Sequence, residues 1–326
     1  MKNHAILERN SGMEREEREF ILEIIEKYKP KKILSVGIAS GANEAIILDY
    51  LEKHNLLDSI KLISADYSVL NFYGGEAKTG FLVKECVPHL EKYWEFYVPG
   101  LVANHLEKIG KGIDLCIIDT MHYAPGEALD FLMILPFLSK NAVLVLHDLI
   151  THHFDNRRVD WCYNAEFRDM NICSVLFNTW NGKKFYPKPY LYAKLTTFDL
   201  SYKDMMQNIG ACVLSDNQLE DSNLESYFRI LNLPWYYMPS DTDLKVASAH
   251  FKKYYGEKYA TYFHEIVEIQ KGWVKNYQNR GSAEEMIKIK NRISYKIDRA
   301  LSKVYKKSGA RAMLKSISKG FKKTKN

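Results

Sequence analysis

Five side chains that can move protons or hold ligands each follow closely on a short apolar run: Asp66, Asp119, His122, His147 and Asp148. Asp119 and His122 occur in Ile-Ile-Asp-Thr-Met-His, and His147-Asp148 closes Val-Leu-Val-Leu-His-Asp. A carboxylate with an imidazole three residues on can hold a cation and a base together. An imidazole with an unperturbed pKa of about 6.5 suits general-base work. If the two apolar runs are neighbouring strands, Asp119 and Asp148 lie within several ångströms of each other. They would then offer oxygen ligands to Mg²⁺, which needs few carboxylates and keeps several waters. Taken singly, each Asp reads equally well as a helix cap and each His as a satisfied core residue. Taken as a set on one rim, they point to chemistry.

A second group reads as a nucleotide site. Gly37-Ile-Ala-Ser-Gly41 follows an apolar run and opens a helical pattern, as a turn does where backbone must approach a ligand. Its spacing is GxxxG rather than the GxGxxG of dinucleotide binders. Asp66, 25 residues past Gly41, could accept hydrogen bonds from two ribose hydroxyls or cap a helix. Pro99-Gly100, after a third run, would approach the adenine. His152, His153 and Asp155 make a transition-metal site conceivable, although their spacing matches no common zinc pattern. They also suit a loop over the substrate pocket. Tyr186, Tyr190 and Tyr192 fit a core better than a sugar platform.

The elements that must position these groups alternate. Residues 14–29 read as a helix with Phe20, Ile21, Ile24 and Ile25 on one face, stopped by Pro30. Strands are expected at 31–36, 59–65, 94–98, 113–118 and 142–146, with helices from about 45 to 51 and at 83–92, 101–109 and 125–138. This alternation predicts an α/β fold with a parallel sheet covered by helices on both faces. Ligands in such sheets sit beyond the carboxyl ends of the strands, where Gly41, Asp66, Gly100, Asp119 and Asp148 all fall. Residues 151–189 read as aromatic-rich and irregular, 195–214 as the last helix and strands, and the chain from Pro234 as mostly helical. The division expected is a domain over 1–235 and a helical extension over 236–326.

Composition limits the classes of function. The 326 residues are 46% hydrophobic and 26% charged, enough for a sizeable core. No apolar run approaches the ~18–20 residues of a membrane span, and the first twenty residues lack the apolar region of a secretory signal. Five cysteines, at 86, 116, 162, 173 and 212, form no CxxC pair, which suits free thiols in a reducing cytoplasm. The net charge of +6 is uneven: residues 296–326 hold 11 Lys and Arg against one acid, leaving 1–295 at −4. A basic body for nucleic acid is therefore not expected. The basic tail, with Ile293, Ile297, Leu301, Val304 and Tyr305 at helical spacing, suits a helix lying on anionic lipid. It equally suits a solvated terminus or a helix docked on the body. Oligomerisation is left open.

The segments ILSVGIASGANEAIIL, LISADYS and IDLCIIDTMHYAPGEALDFLMILPFLSKNAVLVLHD resemble class I S-adenosylmethionine-dependent methyltransferases. The nearest group is the bacterial one that modifies sugars and secondary metabolites, including the macrolide-sugar O-methyltransferases. The resemblance covers about residues 30–150. It implies a Rossmann-like, seven-stranded sheet whose last strand is antiparallel, and S-adenosylmethionine as methyl donor. Gly37, Ser40 and Gly41 would wrap the methionine and ribose parts, with Asp66, Gly100 and Asp119 completing the cofactor set. Metal-dependent members hold Mg²⁺ through residues matching Asp119, His147 and Asp148, but His147 stands where they have Glu. Imidazole suits Mg²⁺ less than carboxylate does. The base matches His122.

The reaction expected is methyl transfer to a hydroxyl of a sugar or related small acceptor, such as a surface-polysaccharide precursor. His122, Asp119 and Asp148 would be its catalytic residues. A nicotinamide-dependent oxidoreductase and a non-catalytic donor-binding scaffold are the competing readings.

Overall fold

The computed structural model describes residues 12–71, 76–149, 172–188 and 207–280, the side chains of 276–280 excepted. Its strands are β1 Lys32–Val36, β2 Lys61–Ala65, β3 Trp94–Tyr97, β4 Ile113–Ile118, β5 Leu138–Leu146, β6 Gly182–Phe185 and β7 Gly210–Leu214. They form one seven-stranded sheet in the order β3-β2-β1-β4-β5-β7-β6. The first five run parallel, and β7 runs antiparallel to both neighbours. The expected Rossmann-like sheet with its reversed last strand is the one found.

Successive strand residues point to opposite faces, and both faces are dry. Ile33, Leu62, Leu115 and Val143 face α1 Arg15–Tyr28, α2 Ala42–Lys53 and α3 Phe81–Cys86. Leu34, Ile63, Cys116 and Leu144 face α4 Leu106–Ile109, α5 Gly126–Ile134, α6 Cys173–Thr179, α7 Asp221–Ile230, α8 Asp241–Tyr255 and α9 Glu257–Arg280. Phe251 and Phe263, from the last two helices, belong to the same buried cluster as Phe131 and Leu144. Each such aliphatic or aromatic side chain contributes about 1.5–3 kcal/mol on burial. No helix among the described residues is long and apolar enough to cross a membrane. Cys86, Cys116, Cys173 and Cys212 are in the thiol form.

Helix α1 forms where the spacing predicts it. Glu14 and Glu17 make a reciprocal capping box, and Phe20, Ile21, Ile24 and Ile25 are buried. Lys29 then takes a left-handed conformation (φ 46°) before Pro30. Four expectations change. The helix expected over 83–92 is broken: α3 ends at Cys86, and a 3₁₀ turn spans Pro88–Tyr93, because Pro88 cannot donate its amide to a continuing helix. The helix expected over 101–109 is a 3₁₀ turn at Val102–Asn104 followed by the single turn of α4. Helix α5 stops at Ile134, ahead of Pro136, so Leu138 opens β5 instead of closing the helix. The supposedly irregular stretch contains α6 and the edge strand β6, whose Gly182 sits where a Cβ would strike the Val213 carbonyl. The helix expected from 195 and the basic tail fall on residues 189–206 and 281–326, outside the described residues.

One buried acid stands among these apolar layers. Glu44, in the first turn of α2, is 1% exposed. Its Oε1 accepts hydrogen bonds from Ser35 Oγ (2.8 Å) and Ser64 Oγ (3.4 Å), while Oε2 has no partner. Burial pushes its carboxyl up to about 7, outweighing the lowering by Ser35 and Ser64. The folded state therefore holds a proton that the unfolded chain has released above about 4.5, so stability falls as pH rises from there to about 7. The loss at pH 8 should be on the order of 3 kcal/mol. Urea denaturation at pH 5 and pH 8 should give a drop smaller by that order in Glu44→Gln, whose amide cannot ionise. An equal drop in both proteins would acquit Glu44.

Candidate functional site

Parallel register assembles the rim. Val36 of β1 lies opposite both Ala65 of β2 and Ile118 of β4, and Ile118 lies opposite Leu146 of β5. The residues following these strands are therefore neighbours. Gly37 N–H donates to Ala65 O (2.9 Å), Asp119 N–H to Val36 O (2.9 Å), and His147 N–H to Ile118 O (3.3 Å). Gly37 has φ +94°, and a Cβ there would collide with the Asp119 carbonyl. Only glycine lets the two strand ends come this close.

The glycine turn is held from the next strand. Asp66 Oδ2 accepts from Ile38 N–H (2.7 Å) and Ala39 N–H (3.1 Å), and Oδ1 accepts from Ser68 N–H (2.8 Å). An ionised carboxylate has about four acceptor positions, so capacity remains beside Oδ1 for a ribose hydroxyl. Gly41 (φ +81°) starts α2 and touches Gly80, whose amide donates to Ala39 O at 2.9 Å. Ser40 is buried in the same turn. Gly100 joins the rim through Tyr67, its amide donating to the Tyr67 carbonyl at 3.2 Å. Gly37, Ser40, Gly41, Asp66 and Asp119 thus surround one turn, with Gly100 at the β3 side.

Beside the turn, carboxylates and imidazoles alternate. His147 is 2% exposed at its side chain, with Nε2 at 3.1 Å from Glu17 Oε2. Its Nδ1 lies 3.3 Å from both Asp119 Oδ1 and Asp148 Oδ2. His122 Nε2 lies 2.7 Å from Asp148 Oδ2, and its Nδ1 lies 3.1 Å from Glu127 Oε1. Cys173 Sγ donates to Glu127 Oε2 at 3.0 Å. Asn208 Nδ2 donates to Asp148 Oδ1 at 3.1 Å. Asp148 itself is left-handed (φ 55°), an uncommon backbone conformation that Asp tolerates better than most residues.

Burial by itself would lower both imidazoles. For His122 it is outweighed by the Asp148 charge and by bonds to Asp148, Cys173 and Glu127, so the ring is held as imidazolium well above its ordinary value. For His147 it is outweighed by Asp148, Asp119 and Glu17. Asp148 in turn is held well below the usual carboxylate range: burial would raise it, but the two imidazoles overcome that. Nearby, burial pushes Asp130, which accepts from Thr120 Oγ1 at 2.8 Å, up to about 7. Glu17, Asp119, Asp148 and Glu127 number four acids against two imidazoles, so the crevice carries excess negative charge and suits a cationic ligand.

Residues 34–149 match the family model described as a methyltransferase domain. The match spans about a third of the chain. A search of curated proteins found no match. Among solved structures, the chain is similar to a Staphylococcus aureus protein provisionally described as a caffeoyl-CoA O-methyltransferase. That match has 13% identity and a TM-score of 0.44, covering 66% of this chain and 90% of that one. A Streptomyces achromogenes O-methyltransferase of tomaymycin synthesis, solved with S-adenosylmethionine, matches at 10% identity and TM-score 0.41, covering 66% and 88%. A Podospora anserina methyltransferase bound to S-adenosylhomocysteine matches at 13% identity and TM-score 0.39, covering 66% and 94%.

The methyl donor fits the residues present: the acid-rich crevice complements a sulfonium, and Asp66 keeps acceptor capacity for ribose. Mg²⁺ on Asp119, His147 and Asp148 does not fit. His147 is walled in at 2% side-chain exposure, and both its ring nitrogens are taken up by carboxylates, Nε2 by Glu17 and Nδ1 by Asp119 and Asp148. Sequence reasoning missed Glu17, Glu127 and Cys173. Glu17 was accessible, because it stands three and four residues before Phe20 and Ile21 on the apolar face of α1. Glu127 was accessible too, as an acid in the otherwise apolar α5. For Cys173 no signal existed. His152, His153, Asp155, Tyr190 and Tyr192 lie outside the described residues, and Tyr186 is 40% exposed.

Replacing Asp66 separates its two tasks. In Asp66→Asn the turn amides of Ile38 and Ala39 should lose protection from hydrogen exchange. Stability should fall by about 1.5–3 kcal/mol, the worth of hydrogen bonds to a charged group. Calorimetric titration with S-adenosylhomocysteine should show at least ~10-fold weaker binding, about one such bond. Unchanged affinity with lost protection would confine Asp66 to holding the turn.

Proposed function

We propose that the chain is an S-adenosylmethionine-dependent methyltransferase that acts on a hydroxyl of a small acceptor, with the Asp148–His122 pair receiving the hydroxyl proton. The observation that carries the reading is the family match over residues 34–149, whose strand ends bear the alternating acid–imidazole crevice. Bound S-adenosylmethionine supplies a methyl group on a sulfonium. The chain's own work is to hold donor and acceptor close, about 3–3.5 Å between reacting atoms, to exclude water and to manage the proton. Asp66, with Gly37, Ser40 and Gly41, orients the nucleoside, and Gly100 bounds the adenine side.

His122 is the more exposed of the two imidazoles, with 27% of its side chain accessible against 2% for His147. With the His122 ring already protonated, the lone pairs that can take the hydroxyl proton are those of the Asp148 carboxylate, which His122 Nε2 holds at 2.7 Å. Asp119 and the fixed His147 charge hold the pair in position. No step is routed through Mg²⁺.

The finer reading is a sugar or related acceptor, such as a polysaccharide precursor. What supports it is a wall of rings with polar edges. The Tyr123 and Tyr236 rings lie 4.9 Å apart, tilted by 46°, Tyr236 N–H donates to Ala124 O (2.9 Å), and Tyr67 Oη donates to Asp243 Oδ2 (3.0 Å). Tyr236 and Asp243 belong to residues 236–326, kept here as an extension of the domain over 1–235; its role would be to complete the acceptor wall.

Purified chain incubated with S-adenosylmethionine and a panel of sugar and phenolic hydroxyl acceptors should release S-adenosylhomocysteine with at least one of them. His122→Ala should reduce kcat by about 10²–10⁴, the usual worth of a positioned base, while donor affinity stays within about twofold. Binding of NAD(P)H in place of the donor, or donor binding without turnover on any acceptor, would overturn the reading.

A further inference from the structure

The same crevice has an inner end that methyl transfer does not use. Beside His122, Glu127 and Cys173 are fully buried, and the proposed reaction assigns neither a part. We propose that His122 Nδ1, the Glu127 carboxylate and Cys173 Sγ form a binding site for one zinc-type divalent transition-metal ion. One ligand atom from each of the three residues lies within 4.8 Å of the other two, with His122 Nδ1 to Glu127 Oε1 at 3.1 Å and Cys173 Sγ to Glu127 Oε2 at 3.0 Å. Metal–ligand bonds of about 2.0–2.3 Å set tetrahedral donors roughly 3.3–3.8 Å apart, so small side-chain movements suffice.

The donor set selects the metal. One thiolate, one imidazole and one carboxylate make a borderline-soft set that suits zinc or cobalt and disfavours Mg²⁺ and Ca²⁺. Three protein ligands leave a fourth position, and His122 is the one donor with exposed surface, so solvent and small ligands reach the ion from the crevice.

Independent support comes from the surroundings. A histidine that ligates a metal through one nitrogen nearly always donates the other N–H to a carboxylate, which fixes its tautomer and orientation. His122 Nε2 lies 2.7 Å from Asp148 Oδ2, and Asp148 is itself held by Asn208. The Glu127 carboxylate is likewise oriented, accepting from Thr120 N–H at 3.2 Å.

The test uses the full chain, stripped of metal under reducing conditions and titrated with Co²⁺, then Zn²⁺. One equivalent of Co²⁺ should produce a near-ultraviolet thiolate-to-cobalt charge-transfer band, which Zn²⁺ removes. The band should vanish in Cys173→Ser and persist in Cys86→Ser. Glu127→Gln should weaken binding at least ~10-fold. X-ray absorption of the unmutated zinc-loaded chain should show one sulfur at about 2.3 Å among nitrogen and oxygen ligands, a readout independent of how well any variant folds. Absence of a band at stoichiometric Co²⁺, its persistence in Cys173→Ser, or a zinc shell without sulfur would each overturn the proposal. None of these readouts involves methyl transfer, so the site and the proposed reaction stand or fall separately.

Discussion

The rim of the candidate site depends on the unshifted parallel register of β1, β4 and β5 at their carboxyl ends. Because Val36, Ile118 and Leu146 stand in line, Gly37, Asp119 and His147 emerge side by side. A slip of one residue would turn each of these side chains to the opposite face of the sheet and separate the charges. The register is itself secured by burial on both faces. Leu115, Ile117, Val143 and Val145 fill one layer and Cys116, Ile118, Leu144 and Leu146 the other, so no shifted pairing keeps all of them dry. The irregularity in β5, between the pairings at Ile113 and Leu115, is confined to the far end, where Lys140 and Asn141 are exposed. The sheet tolerates disorder of register only where nothing chemical is at stake.

The charges gathered there would be costly if left unpaired. A buried carboxylate or imidazolium needs partners on every side that lacks water. The row Glu17, His147, Asp148, His122, Glu127 supplies them by alternation. His147 is the middle of this arrangement: it touches the carboxylates that follow β4 and β5 and also reaches Glu17 on α1. A ring in this position stands where a small cation could otherwise sit, with Nδ1 3.3 Å from both Asp119 Oδ1 and Asp148 Oδ2. Glu17 stands on the far side of the ring, its Oε2 3.1 Å from His147 Nε2.

How much of this could be seen in the chain alone follows from the distances along it. Strand ends were legible because β-branched runs ending in Asp or Gly announce themselves within a few residues, and Asp66, Asp119 and Asp148 were found that way. Partners brought in from elsewhere were harder. Glu17 lies 130 residues from His147 and Cys173 lies 46 from Glu127, and no local pattern states that they meet. The misplaced element ends share a single cause, because Pro88 and Pro136 interrupt apolar runs that helical periodicity alone would carry through. Asp66 shows the opposite limit. Its position at the end of β2 was evident, but three of its acceptor positions are occupied by backbone amides, a commitment only the folded turn displays.

The extension at the C-terminal side changes what the rim can be used for. In a sheet whose carboxyl edge stood open, the acceptor would meet water on most sides and the proton pair would be screened. Here Tyr236 hydrogen-bonds the backbone at Ala124, and Ser240 and Asp243 anchor the start of α8 beside Tyr67. The segment is therefore fastened to loops that follow both β2 and β4, the two strands whose ends bear Asp66 and Asp119. Since α8 and α9 are packed into the same core as α5, their burial also fixes this wall. A low-dielectric boundary strengthens each interaction within it. The helices that stabilise one face of the sheet are thus tied mechanically to the loops at its carboxyl edge, where Asp66 and Asp119 stand.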